Sequence, residues 1–197
     1  GGVAGLTVAL NLAPRRVCVI TKSSLGINTS SSWAQGGIAA AVSKDDSNES
    51  HINDTLTTAK GLANIDAIKE VVNNANGVID DLEGYGVNFD KNEDGSFNLG
   101  LEGAHSFNRI IRSKGDSSGL EIMRGLIEKV KKSDHITVLE NVSIDRIMTD
   151  NNTIYGVIGR FTDDNVPDSN VIIQSSHVVL ATCLLYTSPS PRDGLGS

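Results

Sequence analysis

The sequence predicts an α/β fold in which a parallel sheet is joined to an antiparallel β-meander. Near its start, a glycine-marked turn over residues 1–5 leads into a small apolar helix over residues 6–13, and an apolar strand follows over residues 16–21. A strand that is apolar along its whole length is typical of a parallel sheet, which is buried on both faces. Toward the end, residues 136–182 are rich in β-branched residues and predict a series of strands joined by turns.

The elements between these two regions are predicted from periodicity. Residues 66–85 carry apolar side chains at three- and four-residue steps, which predicts a helix with one buried face. Asn64 and Asp66 offer caps at its start, and Gly84 and Gly86 stop it at its end. Further helices are predicted over residues 51–63 and 118–132, and a hairpin with a glycine turn over residues 87–99. The strands of the last region are predicted over residues 136–139, 143–149, 153–161, 171–174 and 178–182.

Two runs of small residues carry the strongest functional signal. The turn Gly1-Gly2-Val3-Ala4-Gly5 lets a backbone approach a phosphate closely, and the helix after it offers free N–H donors. The second run, Ser30-Ser31-Ser32-Trp33-Ala34-Gln35-Gly36-Gly37, adds hydroxyl groups and another close backbone approach. Each run alone has an ordinary explanation, close packing for the first and a flexible loop for the second. Their order, with a strand between them, predicts a long dinucleotide that is held at more than one point.

Composition excludes several other classes of function. The chain has 17 Lys and Arg against 24 Asp and Glu, a net charge of −7, which argues against a nucleic-acid surface or a basic membrane-binding patch. No apolar run approaches the roughly 20 residues that a membrane span needs. Two cysteines, Cys18 and Cys183, do not form a disulfide framework, so a reducing, cytoplasmic setting is expected, with Cys18 buried in its strand. No metal site is predicted, since the acidic loop over residues 163–170 lacks the glycine and final Glu of a calcium loop.

The glycine turn, Thr21-Lys22, the run from Ser30 to Ala40, and Glu102-Gly103-Ala104-His105-Ser106 together resemble the L-aspartate oxidases. That family belongs to the succinate dehydrogenase and fumarate reductase flavoprotein superfamily. The resemblance implies a Rossmann-like FAD-binding domain. It also implies oxidation of L-aspartate to iminoaspartate, with hydride passing from the substrate Cα to flavin N5 and with oxygen or fumarate as the final acceptor. In the family this reaction is the first step toward quinolinate and NAD, so handover of the product to quinolinate synthase is implied too.

The resemblance also assigns residues to the cofactor. Ser30 occupies the place where superfamily members with covalent flavin carry a histidine, so the FAD is expected to be bound non-covalently. Lys22 stands where a ribose-binding acidic residue often ends the second strand, and the family uses a lysine there. The expected FAD contacts are Gly1, Gly2, Val3, Ala4, Gly5, Lys22, Ser30, Ser31, Ser32, Trp33, Ala34, Gln35, Gly36, Gly37 and Ser143.

On the substrate side, the resemblance points to Glu102 and His105. Glu102 is expected to orient the amino group of the substrate near the flavin ring. For His105, a substrate role and a structural role hydrogen-bonded to backbone both stay open. Arg109 matches a family arginine, but Asn108 replaces the basic residue that commonly precedes it, which leaves the role of Arg109 open.

The resemblance extends over residues 1–182, which are expected to form a partial FAD-binding domain that is truncated at both ends. Its dinucleotide-binding parts are predicted over about 1–43 and 108–182, with helices and a hairpin between them over 44–107. Residues 183–197 resemble a translated sequencing adapter, although a natural Pro/Ser-rich tail has the same composition. Because the family's catalytic arginine would lie beyond this segment, the segment by itself is expected to be inactive.

Two alternatives to an aspartate oxidase stay open. A fumarate reductase or succinate dehydrogenase flavoprotein shares the glycine-containing runs and is disfavoured by Ser30. A non-catalytic dinucleotide-binding module would need only the residues that contact the cofactor.

Overall fold

The computed structural model describes residues 1–27, 29–162 and 170–183. Within them the helices are α1 (Val3–Asn11), α2 (Asn48–Ala59), α3 (Ile65–Gly84) and α4 (Ser118–Lys131), and a single 3-10 turn covers Ser30–Trp33. The strands are β1 (Val17–Ile20), β2 (Ile38–Ala39), β3 (Leu99–Gly100), β4 (Ile110–Ile111), β5 (Ile136–Leu139), β6 (Val142–Asp150), β7 (Thr153–Phe161) and β8 (Asn170–Gln174).

The described strands form three sheets, and two of them confirm the predicted architecture. Strands β1 and β5 pair in parallel, with Val17 opposite Ile136 and Ile20 opposite Leu139. Strands β6, β7 and β8 form the antiparallel meander. The third sheet, in the order β2-β4-β3, is antiparallel and was not predicted, because its strands are only two residues long.

Two sequence-based expectations are wrong, and a third is confirmed over fewer residues. Residues 178–182 do not form a strand, since no described strand lies beside them to share backbone hydrogen bonds. The predicted hairpin is present in shorter form: Lys91 and Phe97 form an antiparallel bridge, the N–H of Asn92 donates to the Ser96 carbonyl at 2.8 Å, and Gly95 in the turn has φ +85°. Cys18 is exposed rather than buried, because it lies on the face of β1 opposite the buried Val19.

Two predicted regions lie outside the described residues, namely most of the acidic loop (163–169) and most of the C-terminal tail (184–197). No helix in the described ranges has both the length and the apolar character that crossing a bilayer requires.

One hydrophobic core joins the helices to the parallel sheet. On α4, the buried Met123, Leu126 and Val130 recur at three- and four-residue steps and form a single stripe. They pack in one cluster with side chains of α1, α3 and β1. Full burial of a Leu or Met side chain stabilises a fold by about 1.5–3 kcal/mol. The core residues from the other elements are Leu6, Ala9, Leu10, Val19, Ile79 and Leu82.

The ends of α3 confirm the predicted cap Asn64 and stop Gly86, whereas Asp66 and Gly84 lie within the helix. The Asn64 side chain accepts hydrogen bonds from the backbone N–H of Asp66 at 2.9 Å and Ala67 at 3.1 Å. Gly86 follows the helix with φ +87°, a left-handed conformation that glycine adopts at little cost. The N-terminus of α2 is capped by Ser47, whose hydroxyl accepts from the N–H of Ser50 at 3.1 Å.

A buried carboxylate fixes α4 to the segment after α3, and sequence reasoning missed it. Glu121 accepts hydrogen bonds from Arg124 at 2.6 Å, from the backbone N–H of Asn88 at 3.1 Å and from Lys114 at 3.2 Å. The hydrogen bonds from Arg124, together with those from Asn88 and Lys114, lower the pKa of Glu121 to about 2. Glu121 is therefore an anion with satisfied acceptors rather than an isolated buried charge.

Candidate functional site

The glycine turn lies at the uncapped N-terminus of α1. Gly2 is the N-cap and supplies no side-chain acceptor, and the first turn carries no acidic residue. The N–H of Val3 donates to the Ser31 hydroxyl at 3.2 Å, whereas the N–H groups of Ala4 and Gly5 meet no acceptor among the described residues. Unpaired N–H groups at a helix N-terminus form an anion-binding site. The structure thus brings the first predicted run into contact with the second.

The carboxyl end of β1 lies beside the same turn. A Cβ atom at Gly1 would stand 2.8 Å from the Thr21 methyl group, so only a glycine fits at this distance. The N–H of Val142 donates to the Thr21 carbonyl at 2.9 Å, and this bond places Ser143 next to the end of β1. The Lys22 side chain is exposed at the same end. Ligands of open α/β sheets bind outside the carboxyl ends of parallel strands.

The run from Ser30 to Gly37 divides into internally bonded residues and open residues. The Ser32 hydroxyl lies 2.8 Å from the Thr29 hydroxyl and donates to the Gly26 carbonyl at 3.0 Å, so it stabilises the turn itself. Trp33 is 78% exposed, and Ser30, Ala34, Gln35 and Gly36 are exposed as well. The open residues form one edge that adjoins the N-terminus of α1.

Helix α4 packs directly on this run. The N–H of Gly119 donates to the Ala34 carbonyl at 2.9 Å. A Cβ atom at Gly119 would stand 2.7 Å from the same carbonyl oxygen and would also collide with the Ser31 carbonyl oxygen. This close approach of two backbones requires a glycine.

Glu102 pairs with an arginine that was not among the predicted site residues. Arg112 Nη2 donates to Glu102 Oε1 at 2.6 Å, with the two side chains 40% and 47% exposed. Arg112 follows β4, and a Cβ atom at Gly37 would lie 2.9 Å from its Cγ. Arg112 therefore spans the distance between the Ser30–Gly37 run and Glu102.

The His105 side chain contacts a different arginine. His105 Nδ1 lies 3.4 Å from Nη1 of Arg109, whose side chain is fully buried. The backbone N–H of His105 donates to the Glu102 carbonyl at 3.3 Å, but the two side chains turn to separate partners. The structure thus brings Glu102 and His105 into one segment without pairing them.

Arg109 joins this segment to α2 and to the turn before it through two carboxylates, Asp54 and Asp46. Its Nε and Nη2 donate to the two oxygens of Asp46, each at 2.8 Å, and its Nη1 donates to Asp54 at 2.9 Å. Asp54 also accepts from the backbone N–H and the hydroxyl of Ser106, and these bonds, more than the charge of Arg109, hold the pKa of Asp54 below its usual range. The role of Arg109, which the sequence left open, includes this buried ion-pair cluster.

A second histidine lies next to His105. The rings of His51 and His105 are 5.4 Å apart in an edge-to-face arrangement. Burial lowers the pKa of His51, and the positive charge of Arg109 lowers it further. His105 also lines a cleft of about 500 Å³, together with Asp54, Thr57, Thr58, Ala104 and Ser106.

Sequence reasoning missed Arg112 and the Asp46–Arg109–Asp54 cluster for one reason. Arg109 lies 63 and 55 positions from Asp46 and Asp54, and Arg112 lies 10 positions from Glu102 across an irregular segment. None of these contacts follows helical or strand periodicity. The excess of acidic residues around α2 was the only signal, and such residues usually lie on a solvated surface.

Comparisons with known proteins agree with this geometry. The sequence model of the family described as "FAD binding domain" matches residues 1–184. The chain is 41% identical to an L-aspartate oxidase of Agrobacterium fabrum over 201 aligned positions, covering 99% of this chain and 38% of that protein. It is 37% identical to the L-aspartate oxidase of Bacillus subtilis, covering 80% of this chain and 29% of that protein. The chain thus spans well under half the length of these curated relatives.

Solved structures have the same fold. A Mycobacterium smegmatis Sdh1 complex in the apo form matches with a TM-score of 0.82 at 31% identity, covering 92% of this chain and 32% of that chain. An E. coli quinol fumarate reductase matches with a TM-score of 0.79 at 22% identity, covering 89% of this chain and 30% of that chain, which supports the fold alone. FAD is the cofactor that the family match indicates. The chain belongs to the FAD binding domain family, and its sequence is similar to the corresponding part of L-aspartate oxidases.

Proposed function

We propose that this chain forms the FAD-binding part of an enzyme that oxidises L-aspartate to iminoaspartate, with oxygen or fumarate as acceptor. The observation that carries the proposal is the exposed carboxylate of Glu102, which Arg112 joins to the edge formed by the Ser30–Gly37 run. An anionic oxygen at this position can accept a hydrogen bond from a substrate ammonium group. The relatives named L-aspartate oxidase support the same substrate.

The geometry fits FAD at the α1 N-terminus. The unpaired N–H groups of Ala4 and Gly5 suit a pyrophosphate, and Gly1 and Gly2 let the turn pack closely against Thr21 and Ser31. Lys22 and Ser143, beside the end of β1, are proposed to contact the adenosine half. The run from Ser30 to Gly37 is proposed to contact the flavin half, with Ser32 acting mainly by holding the turn. The proposed contacts are Gly1, Gly2, Val3, Ala4, Gly5, Lys22, Ser30, Ser31, Ser32, Trp33, Ala34, Gln35, Gly36, Gly37 and Ser143.

The proposed reaction removes two electrons and two protons from the substrate. L-Aspartate gives up a hydride from Cα and a proton from its nitrogen, and iminoaspartate results. Bound FAD supplies the two-electron acceptor. Glu102 accepts a hydrogen bond from the amino group and so fixes the orientation of the Cα–H bond. His105, held beside the buried Arg109, is proposed to line the substrate side of this segment without a proton-transfer role.

Replacing Glu102 tests this function in a full-length protein. By this we mean the chain within the whole polypeptide that its gene encodes, or the chain joined to the remaining part of the A. fabrum relative. Glu102→Gln should lower kcat/KM for aspartate about 10- to 100-fold, because a hydrogen bond to a charged group contributes about 1.5–3 kcal/mol. Fumarate reduction should fall much less, since fumarate has no amino group. Steady-state assays with both substrates measure the difference.

The matched control is Glu128→Gln. Glu128 is also exposed and pairs with an arginine at 2.9 Å, but it lies on α4 away from the segment that contains Glu102. We expect this variant to retain both activities. Equal losses of the two activities in Glu102→Gln would contradict an amine-orienting role.

The bond to the cofactor gives a separate prediction. Ser30 offers no imidazole nitrogen, so we propose that FAD is bound non-covalently. Acid precipitation of the full-length protein should release the yellow flavin into the supernatant, where its absorbance is measured. Flavin that stays with the precipitated polypeptide would rule out this assignment.

A second candidate is a fumarate reductase or succinate dehydrogenase flavoprotein. The likeness to the M. smegmatis Sdh1 complex favours it. A full-length protein that reduces fumarate but does not oxidise aspartate would support this candidate. A protein that binds FAD and turns over neither substrate would instead support a dinucleotide-binding module.

The remaining proposals concern the setting of the reaction. We propose that residues 1–43 and 108–182 bind the dinucleotide and that residues 44–107 form the part between them. We also propose that iminoaspartate passes to quinolinate synthase during NAD biosynthesis in the cytoplasm. Adding quinolinate synthase and its three-carbon co-substrate, dihydroxyacetone phosphate, to the aspartate assay tests the handover, since the four-carbon product should then be converted to quinolinate. Absence of quinolinate would contradict it.

A further inference from the structure

Arg112 runs through a gap that two glycines leave open. It directly follows β4, whose neighbours are β2 on one side and β3 on the other. A Cβ atom at Gly37, just before β2, would stand 2.9 Å from Arg112 Cγ, and a Cβ atom at Gly100 in β3 would stand 3.5 Å from its Cζ. A side chain at Gly37 would crowd the arginine, whereas a Cβ atom at Gly100 would only be in van der Waals contact with it. Arg112 thus passes close to both glycines and ends at Glu102.

Glu102 needs such a partner in order to keep one orientation. It lies in an irregular segment between β3 and β4, and Ala104 in the same segment has φ +71°, a conformation that residues other than glycine rarely adopt. The Glu102 side chain is 47% exposed, so packing alone does not hold it in one rotamer. Its hydrogen bond from Arg112 at 2.6 Å does so.

The pair leaves one carboxylate oxygen available. Arg112 Nη2 donates to Oε1, and among the described residues nothing donates to Oε2. An exposed ion pair adds little to stability, so a large effect of Arg112 on turnover would not come from folding.

We propose that Arg112 is a positioning residue, which holds Glu102 so that Oε2 faces the amino group of the substrate. Arg112 thereby makes the enzyme select a dicarboxylate that carries an amino group, such as aspartate, over a dicarboxylate that lacks one, such as succinate. This inference rests on the proposed function. It differs from direct binding of a substrate carboxylate by Arg112, which would affect both kinds of dicarboxylate.

A double-mutant cycle in the full-length, FAD-loaded protein tests the proposal. The variants are Arg112→Gln, Arg112→Lys, Glu102→Gln and the double variant Arg112→Gln/Glu102→Gln. Aspartate oxidation and fumarate reduction give kcat/KM, and changes in flavin absorbance on titration give the Kd of aspartate and of succinate, which lacks the amino group.

We expect Arg112→Gln to lower kcat/KM for aspartate about tenfold, which corresponds to the loss of one well-oriented hydrogen bond. Fumarate reduction and the Kd of succinate should change less than twofold. Arg112→Lys should restore part of the loss, because a lysine keeps the charge but lacks the planar guanidinium. In the Glu102→Gln background, Arg112→Gln should have no further effect.

The control variant is Lys91→Gln, which removes the cation of another exposed pair, at 2.8 Å from Glu83. It should leave all four measurements unchanged, and Arg112→Gln should match it in FAD content and melting temperature. Weaker succinate binding in Arg112→Gln, or additive losses in the double variant, would overturn the positioning role. A wild-type protein that oxidises no aspartate would overturn the proposed function and this inference together, whereas an active wild type with an unchanged Arg112→Gln variant would overturn this inference alone.

Discussion

Arg109→Met should lower the free energy of unfolding by about 3–5 kcal/mol, because it leaves buried carboxylates without their cation. The side chains of Arg109 and Asp46 are both 0% exposed, and Asp54 is 14% exposed. Arg109 donates to all three of the carboxylate oxygens that face it, at 2.8–2.9 Å. Methionine fills a similar volume but donates no hydrogen bond. Urea denaturation followed by circular dichroism measures the change.

Two further variants separate the lost charge pairing from other effects. Arg160→Met removes an exposed pair with Asp145 at 3.1 Å and should cost less than about 1 kcal/mol. Adding Asp46→Asn to Arg109→Met should recover part of the loss, since the most buried uncompensated charge is then gone. A loss of under 1 kcal/mol in Arg109→Met would mean that water reaches Asp46 and that the cluster is not buried in solution.

The large elements of the fold could be predicted because their signals are local. The apolar run that forms β1, the periodic apolar residues of α3 and the turn between β6 and β7 each lie within a short window of sequence. Residues 178–182 show the limit of such signals. Their apolar character indicates burial or pairing, but a strand also needs a neighbour whose backbone is free, and none lies beside them in the described part of the chain.

The candidate site likewise has parts that local sequence signals predict and parts that only the structure shows. The glycine turn and the Ser30–Gly37 run could be predicted, because the chemistry of phosphate binding requires small residues at set positions. Their contact through Val3 and Ser31 joins residues 28 positions apart and needed the structure. The bonds from Arg109 to Asp46 and Asp54 span 63 and 55 positions, and no local pattern indicates them. Long-range ion pairs follow from how the elements pack.

Gly119→Ala should both destabilise the fold and weaken FAD binding, because it pushes α4 away from the Ser30–Trp33 turn. The added Cβ atom would stand 2.7 Å from the Ala34 carbonyl oxygen and closer still to the Ser31 carbonyl oxygen. Both obstacles are backbone atoms, so a change of rotamer cannot relieve the collision. The hydrogen bond from Gly119 N–H to the Ala34 carbonyl would lengthen as well. Overpacking costs about 1–3 kcal/mol and a strained buried hydrogen bond about 1–3 kcal/mol more.

The matched control for Gly119→Ala is Gly77→Ala within α3. A Cβ atom there would meet nothing within 4 Å, so this variant should gain about 0.5–1 kcal/mol from the higher helix propensity of alanine. Denaturation measures stability, and quenching of flavin fluorescence on titration measures the Kd of FAD. We expect Gly119→Ala to raise that Kd at least about tenfold, since Ser31 and the turn around it move with α4, and Gly77→Ala to leave it unchanged. If the two alanine variants bound FAD equally well and were equally stable, the close packing of α4 on the Ser30–Trp33 turn would not be what holds the cofactor-binding edge in place.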